Sequence, residues 1–406
     1  MLFRSNPRGS LITAKCGELL PLLLPQLDID MDAEHNMGCV KLIDCNLCSG
    51  EFLSVFASNA QIRSLSVSNN RTVIDDPSVL RRHVSQFEGL QDLNVSLLDD
   101  YEKQDCFLPL TDLEELQELQ TLSLSHCGLV DPDVLRYLPM LHELNLHRVL
   151  MSSKKEGGIW LDSPSLQILR TDKLTFAYHA IGAHLPALKH VIFSSFDLLD
   201  APIGDESKLR CMLMELCSLP LHAIEYTDPQ ANKFAWKVPS FIFECSYGHV
   251  KEAGHEQLMS ILRVIAESPL ADVFRSLKVV SLDFDAAQLC PGSMRLIYSL
   301  FSGAEQVSCA WGCTDDEAVA AAISCNTQLR TLRLCDGAFT SSRRPVDNSK
   351  MRVTIIPTLR EALRLGKSFE LCLYNGSGYG SQEQLDCLAE EWEEEKRKVG
   401  GAGSAV

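Results

Sequence analysis

Leu119-Gln120-Thr121-Leu122-Ser123-Leu124-Ser125-His126-Cys127-Gly128-Leu129 is the stretch on which the reading of the whole chain turns. Leu122 and Leu124 flank a single residue. In a strand, side chains alternate between faces, so both leucines point to one side and Ser123 to the other. The same L-x-x-L-x-L core returns at Leu141, in LHELNLHRVL. With other apolar residues replacing some leucines, its first positions are Met37, Ile62, Leu90, Leu119, Leu141, Leu166 and Leu188, at intervals of 25, 28, 29, 22, 25 and 22 residues. It recurs at Leu221 (LHAIEY), Leu277 (LKVVSL), Ala304 (AEQVSC) and Leu329 (LRTLRL), and a worn copy closes the series at Phe369-Glu370-Leu371-Cys372-Leu373. One such unit cannot bury its own apolar side, so successive units must stack. Strands are expected near residues 65–67, 93–95, 122–124, 144–146, 191–193, 280–282 and 332–334.

Between strands the chain has to return. Asp131 to Leu138 offers an Asp cap with Pro and acid in the first turn, and Thr314 to Ile323 offers Thr with Glu three residues on. Both read as helix starts. Leu277 follows Leu221 at an interval of 56 residues, roughly two repeats. There, Val238 to Phe243 reads as a degraded strand. Gly254 to Glu267 reads as an amphipathic helix, with Leu258, Ile261, Leu262 and Ile265 on one face. The expected organisation is an N-terminal cap at 1–36, regular repeats at 37–198, irregular repeats with an insertion at 199–276, repeats at 277–375, a cap helix at 376–398 and a disordered tail at 399–406. In the cap helix Leu385, Leu388 and Trp392 share a face, and Glu393–Arg397 and Glu394–Lys398 have pairing distance.

LQTLSLSHCGL matches L-x-x-L-x-L-x-x-(N/C)-x-L in full, and on that motif the chain resembles the leucine-rich-repeat superfamily in its longer, helix-containing style. The likeness is strong from Met37 to Leu198 and good from Leu277 to Phe339. It implies an α/β solenoid, with a curved parallel sheet on the concave face and helices on the convex face. It also implies that Cys45, Asn70 and Cys127 turn inward to bond backbone groups, and that the concave surface binds a partner.

Composition bounds the function. The chain has 406 residues and a net charge of −17. That balance repels phosphate backbones and anionic membranes, so no nucleic-acid or membrane partner is expected. It suits a basic protein partner or a place in a larger complex. Sixteen cysteines scattered without regular spacing in a chain this long read as reduced thiols, which places the chain in the cytoplasm. Arg4, Arg8 and Lys15 precede the first acid, Glu18, as in a mitochondrial presequence; a slightly basic cap is the favoured reading. No apolar run reaches the ~20 residues that span a bilayer. The triplets at Asn70, Asn94 and Asn375 carry no weight as glycosylation sites without a secretory signal.

Chemical motifs fail their own templates. Cys45-Asn46-Leu47-Cys48 lacks two further zinc ligands, and Cys309 with Cys313 meets the same objection. Gly376-Ser377-Gly378-Tyr379-Gly380 has Ser381 where a dinucleotide loop needs Gly, and no Walker lysine follows. His126, His142, His147, His179, His184 and His190 read as surface and turn histidines. No cofactor, metal or catalytic residue is expected.

The outward strand positions carry a clearer signal. The residue between the two core positions is Ser66, Asn94, Ser123, Asn145 and Arg170; the residue after them is Ser68, Ser96, Ser125, His147 and Asp172. Small polar residues let a partner approach, and the column then becomes charged. Ser66, Asn94, Ser123, Asn145, His147, Arg170 and Asp172 are therefore the candidate partner-binding residues of a non-catalytic scaffold or adaptor, with solvated filler as the plain alternative. Two other classes are a ubiquitin-ligase substrate arm, for which residues 1–36 match no adaptor-binding box, and a repeat-based GTPase activator, for which nothing singles out Arg148 or Arg170.

Overall fold

The computed structural model describes residues 11–14, 39–42, 62–68, 84–96, 107–108, 113–124, 128–129, 132–146, 161–178, 184–198, 201–224, 241–245, 247–284, 291–310, 316–336, 357–365, 367, 369–375 and 382–402. The chain divides into two compact units. The first comprises residues 1–173, 177–192 and 218–220, and the second the remainder.

In the first unit, strands β1 (Leu11–Ala14), β2 (Cys39–Leu42), β3 (Ser64–Ser66), β4 (Asp92–Asn94), β6 (Thr121–Ser123), β8 (Glu143–Leu146) and β9 (Ile168–Leu174, its last residue lying in the second unit) pair in that order, every pair parallel. Two further short strands, β5 (Phe107–Leu108) and β7 (Gly128–Leu129), pair parallel in a separate ladder. β1 falls within the stretch read as an N-terminal cap.

A run of period-three turns feeds β4, β6 and β8. Phe87 and Leu90 donate their backbone N–H to the carbonyls of Val84 and Phe87, each three residues back; Leu116 and Leu119, then Leu138 and Leu141, repeat the pattern. The side chains on this three-residue spacing, Leu113, Leu116, Leu119 and Leu122, are all fully buried, as are their counterparts Leu135, Leu138, Leu141 and Leu144. Successive units are tied through one carbonyl that accepts twice: Gln91 O takes both Gln120 N–H and Thr121 N–H, and Gln120 O takes both His142 N–H and Glu143 N–H. These strands of the first unit are thus copies of one turn-and-strand unit.

The return over Asp131–Leu138, expected as an α-helix, is a 3-10 helix at Pro132–Tyr137. The 22 residues from Leu119 to Leu141 leave little chain for α-helical turns. The buried side chains Leu135 and Leu138 stand three apart, which is the 3-10 period.

The second unit is helix-rich. It begins in β10 (His190–Asp197, of which Phe193 onward belongs here), followed by α1 (Glu206–Cys217), β11 (Leu221–Ala223), β12 (Phe241–Cys245), α2 (Tyr247–Ala266), α3 (Leu270–Arg275), β13 (Val279–Phe284), α4 (Pro291–Leu300), β14 (Gln306–Ala310), α5 (Asp316–Cys325), β15 (Thr331–Asp336), β16 (Glu370–Asn375) and α6 (Gln382–Ala402). The strand order β10-β12-β13-β14-β15-β16 is parallel throughout. β11 lies off that path: Ile224 N–H donates to Phe193 O, while Ser195 to Asp197 pair with Ile242 to Glu244. β10 therefore meets two consecutive segments, and residues 225–240 separate them. The degraded strand read at 238–243 is β12. Within α2, Gly254 at φ +68° breaks the helix, and beyond it Leu258, Ile261, Leu262 and Ile265 are buried, the face expected from their spacing.

Aromatic rings fill this second core. Phe274 contacts Phe196, Phe241, Phe243 and Phe301 at centroid distances of 5.4, 5.7, 5.7 and 5.4 Å. At the end, fully buried Trp392 on α6 stacks on Phe369 at 5.4 Å and 30°. α6 runs to Ala402, past Lys398 where a tail was expected. Once nucleated, a helix extends at small cost per residue, even through Gly400 and Gly401. Lys398 pairs with Glu394 at 3.1 Å, whereas Glu393 takes Lys396 at 2.8 Å rather than Arg397, which donates to its backbone carbonyl. The side chains of Leu385 and Leu388 lie outside the described residues. Parallel strands at repeat spacing, with helices on the returns of the second unit, make this an α/β leucine-rich-repeat solenoid.

Candidate functional site

In the first unit Lys41, Ser66, Asn94, Ser123, Asn145 and Arg170 occupy one register row, each the Cα partner of the next. The alternation of the strands explains the row. Leu65, Leu93, Leu122, Leu144 and Leu169 on one side are buried to the last percent, so their neighbours must face the other way. Five of the seven candidate residues thus stand side by side, about 4.8 Å apart from strand to strand. Asp172, two residues beyond Arg170, is half-buried. His147 lies outside the described residues, as do Ser125, Cys45, Cys48, Asn70, Cys127, Cys313 and the glycine-rich stretch at 376–380.

The row is knitted by its own side chains. Asn145 Nδ2 donates to Ser123 Oγ at 3.2 Å, and Ser123 Oγ lies 3.0 Å from Ser96 Oγ. Asn94 Oδ1 accepts the Ser96 backbone N–H at 2.9 Å, closing a local turn as the chain leaves β4. Ser66 Oγ reaches Ser68 Oγ at 3.4 Å. At the charged end, Arg170 Nε donates to Glu143 Oε1 at 2.6 Å, the two side chains 42% and 31% exposed. Behind the row, Tyr178 OH sits 3.2 Å from Thr171 Oγ1. Burial pushes the Tyr178 phenol up to about 12, with the Thr171 hydrogen bond pulling the other way and the Asp172 carboxylate adding to the rise.

Among the described residues the row offers hydroxyl, amide and guanidinium groups for hydrogen bonding. Cys309, read beside Cys313 as a pair to be weighed against metal binding, is buried in the second core with its sulfur 3.0 Å from Tyr298 OH. Among the described residues no three His, Cys, Asp or Glu side chains converge in a metal-holding group, and no helix is long and apolar enough to cross a membrane.

The reading of the outward column stopped at Asp172, but the same rule applies to the second unit. There Ile242, Ser281, Ser308, Arg333 and Cys372 form a row in register. The signal was present in LKVVSL, AEQVSC and LRTLRL, whose fifth residues are Ser281, Ser308 and Arg333.

No family model matches the chain, and no curated protein matches it. Among solved structures the chain is similar to an internalin (inlF) from Listeria monocytogenes str. 4b F2365, at 15% identity and a TM-score of 0.28, covering 70% of this chain and 82% of that one. What the molecule's own strand order, register and buried leucine spacing define is the leucine-rich-repeat fold.

Proposed function

We propose that the chain is a non-catalytic scaffold that binds a partner protein through the outward sheet face of its first unit. The observation that carries this reading is the single register row of Ser66, Asn94, Ser123, Asn145 and Arg170, small and polar from Ser66 to Asn145, charged at Arg170, and continued past Ser66 by Lys41. A repeat stack presents such rows as a broad surface, and ~800 Å² on each side suffices for a standard protein interface. Short side chains admit a partner backbone closely, while Arg170 and Asp172 supply orienting charge and His147 a further polar contact. The acidic balance of the chain, −17, favours a partner with a basic surface.

The test is the double change Asn145→Arg with Ser123→Arg in the full chain, followed by affinity purification and mass spectrometry. Both positions face away from the core, so the circular dichroism spectrum stays unchanged while the co-purifying partner is lost. Should the partner persist in the folded double variant, and deletion of residues 230–238 alone, short of β12, remove it instead, the row is not the binding face and this assignment fails.

A further inference from the structure

We propose that the outward face of β14 and β15, centred on Ser308, receives an oxyanion carried by an acidic segment of a protein partner. Strand alternation fixes which way these residues face. Val307 and Cys309 are buried in the core at 0% and 2% exposure, so Gln306 and Ser308 lie on the opposite, outward side. Yet Ser308 is only 6% exposed, and its Oγ has no hydrogen-bond partner. Two residues earlier, the side-chain amide nitrogen of Gln306 is also buried and also without a partner. Burying such groups unbonded costs free energy, and native structures rarely carry two together.

The chemistry of the two groups selects the ligand. An amide NH2 can only donate, so Gln306 Nε2 calls for an acceptor oxygen; the Ser308 hydroxyl can donate to the same oxygen. Ser281 and Arg333 flank Ser308 in register, adding a hydroxyl and a guanidinium. Charge turns the acceptor from a neutral carbonyl into an anion. By the same alternation the described charges nearest Ser308 on the outward side are Arg333, its register neighbour, and Glu370 at the end of the Gln306 row, while Lys278, Glu305 and Arg330 precede their strands and form a cluster of their own. Glu305 is shared by Lys278 at 3.4 Å and Arg330 at 3.3 Å, and Glu370 lies beside Thr331 and Cys372. Two buried donors with a guanidinium beside them in register suit the carboxylate or phosphate of an acidic segment better than a neutral carbonyl.

The experiment uses the full chain and fluorescence anisotropy with three labelled peptides of alternating sequence, Gly–Glu, Gly–phosphoserine and Gly–Gln. The Glu or the phosphoserine peptide binds, and whichever is tighter names the source of the oxyanion. The Gln peptide binds at least about tenfold more weakly, the scale of one charge-assisted hydrogen bond. Arg333→Gln removes that preference, and Ser308→Ala weakens the bound peptide while leaving the melting temperature equal or higher, since it deletes an unbonded hydroxyl. The Asn145→Arg, Ser123→Arg chain binds the acidic peptide as the parent does, which separates this site from the face of the first unit. Equal binding of the Glu and Gln peptides, or an Arg333→Gln chain that is folded and binds undiminished, overturns the proposal.

Discussion

Asn145 donates its side-chain amide to the Ser123 hydroxyl across 3.2 Å, from the strand next to it and in the same register row. Ser123 Oγ also lies 3.0 Å from Ser96 Oγ, so one hydroxyl serves two strands. Each single change, Asn145→Ala or Ser123→Ala, costs ~0.5–1.5 kcal/mol in urea unfolding. The double change costs less than the sum, with a coupling of about 0.5 kcal/mol or more. Strict additivity would mean the ladder contributes nothing to holding β6 against β8.

Leu144 is fully buried on the opposite side of the same strand. It belongs to the run Leu135, Leu138, Leu141, Leu144 and Leu146, every member of which is buried. Leu144→Ala leaves a cavity and lowers stability by ~2–5 kcal/mol. A melting temperature equal to the parent's would show that this register is wrong.

Much of this was legible in advance because the repeat writes its geometry into two periods. The alternation of Leu122, Ser123 and Leu124 sets the faces, and the 22–29-residue interval sets the stacking, so β3, β4, β6 and β8 fall within a residue or two of their expected centres. The period-three turns were not foreseen. Leu113, Leu116 and Leu119 mark them, but the same spacing also suits an amphipathic helix, and only the short return decides between the two. β11 and β12 were both legible, from LHAIEY at Leu221 and from the degraded strand at 238–243, but that both pair with β10 was hidden, because no local pattern records which strand is the neighbour. The unbonded Gln306 and Ser308 lay within a repeat already recognised, AEQVSC; what the sequence cannot show is which polar groups end up buried without partners.

Tyr178 makes stability depend on alkaline pH. Its phenol is buried and ionises at about 12 in the folded chain, against 10.0 when exposed. Below pH 10 both states are protonated and the contribution is complete. Between 10 and 12 the unfolded state alone loses its proton, so stability falls with a limiting slope of ~1.4 kcal/mol per pH unit. Tyr178→Phe flattens that part of the profile in urea titrations, and Thr171 keeps its bond to Lys173 O. An unchanged slope would show that the phenol is not the titrating group.

Gly303, in the turn before β14, is held by space rather than by backbone angle. A Cβ there would lie 2.1 Å from the carbonyl oxygen of Arg275, the last residue of α3. Backbone cannot yield as a flexible side chain would, so Gly303→Ala costs ~1–3 kcal/mol in thermal unfolding, the scale of overpacking. Gly254 is the opposite case, with open space around it and φ +68°. A neutral Gly303→Ala would show that the turn does not pack on α3.

Trp392 closes the second unit, and its indole nitrogen separates packing from hydrogen bonding. The ring is fully buried against Phe369, itself nearly buried, where α6 covers β16. Its Nε1 has no hydrogen-bond partner. Trp392→Ala removes the ring and the contact, at a cost of ~3–5 kcal/mol. Amide exchange in Glu370–Asn375 should then speed up before that of Val279–Phe284 does, because the end strand loses its cover first. Trp392→Phe keeps an aromatic face on Phe369 and deletes the unbonded N–H, whose burial costs ~1–3 kcal/mol. The lost volume and the removed penalty oppose each other, so the Phe chain stays within about 1 kcal/mol of the parent. A Phe chain as unstable as the Ala chain would mean that the indole N–H has a partner holding the cap in place.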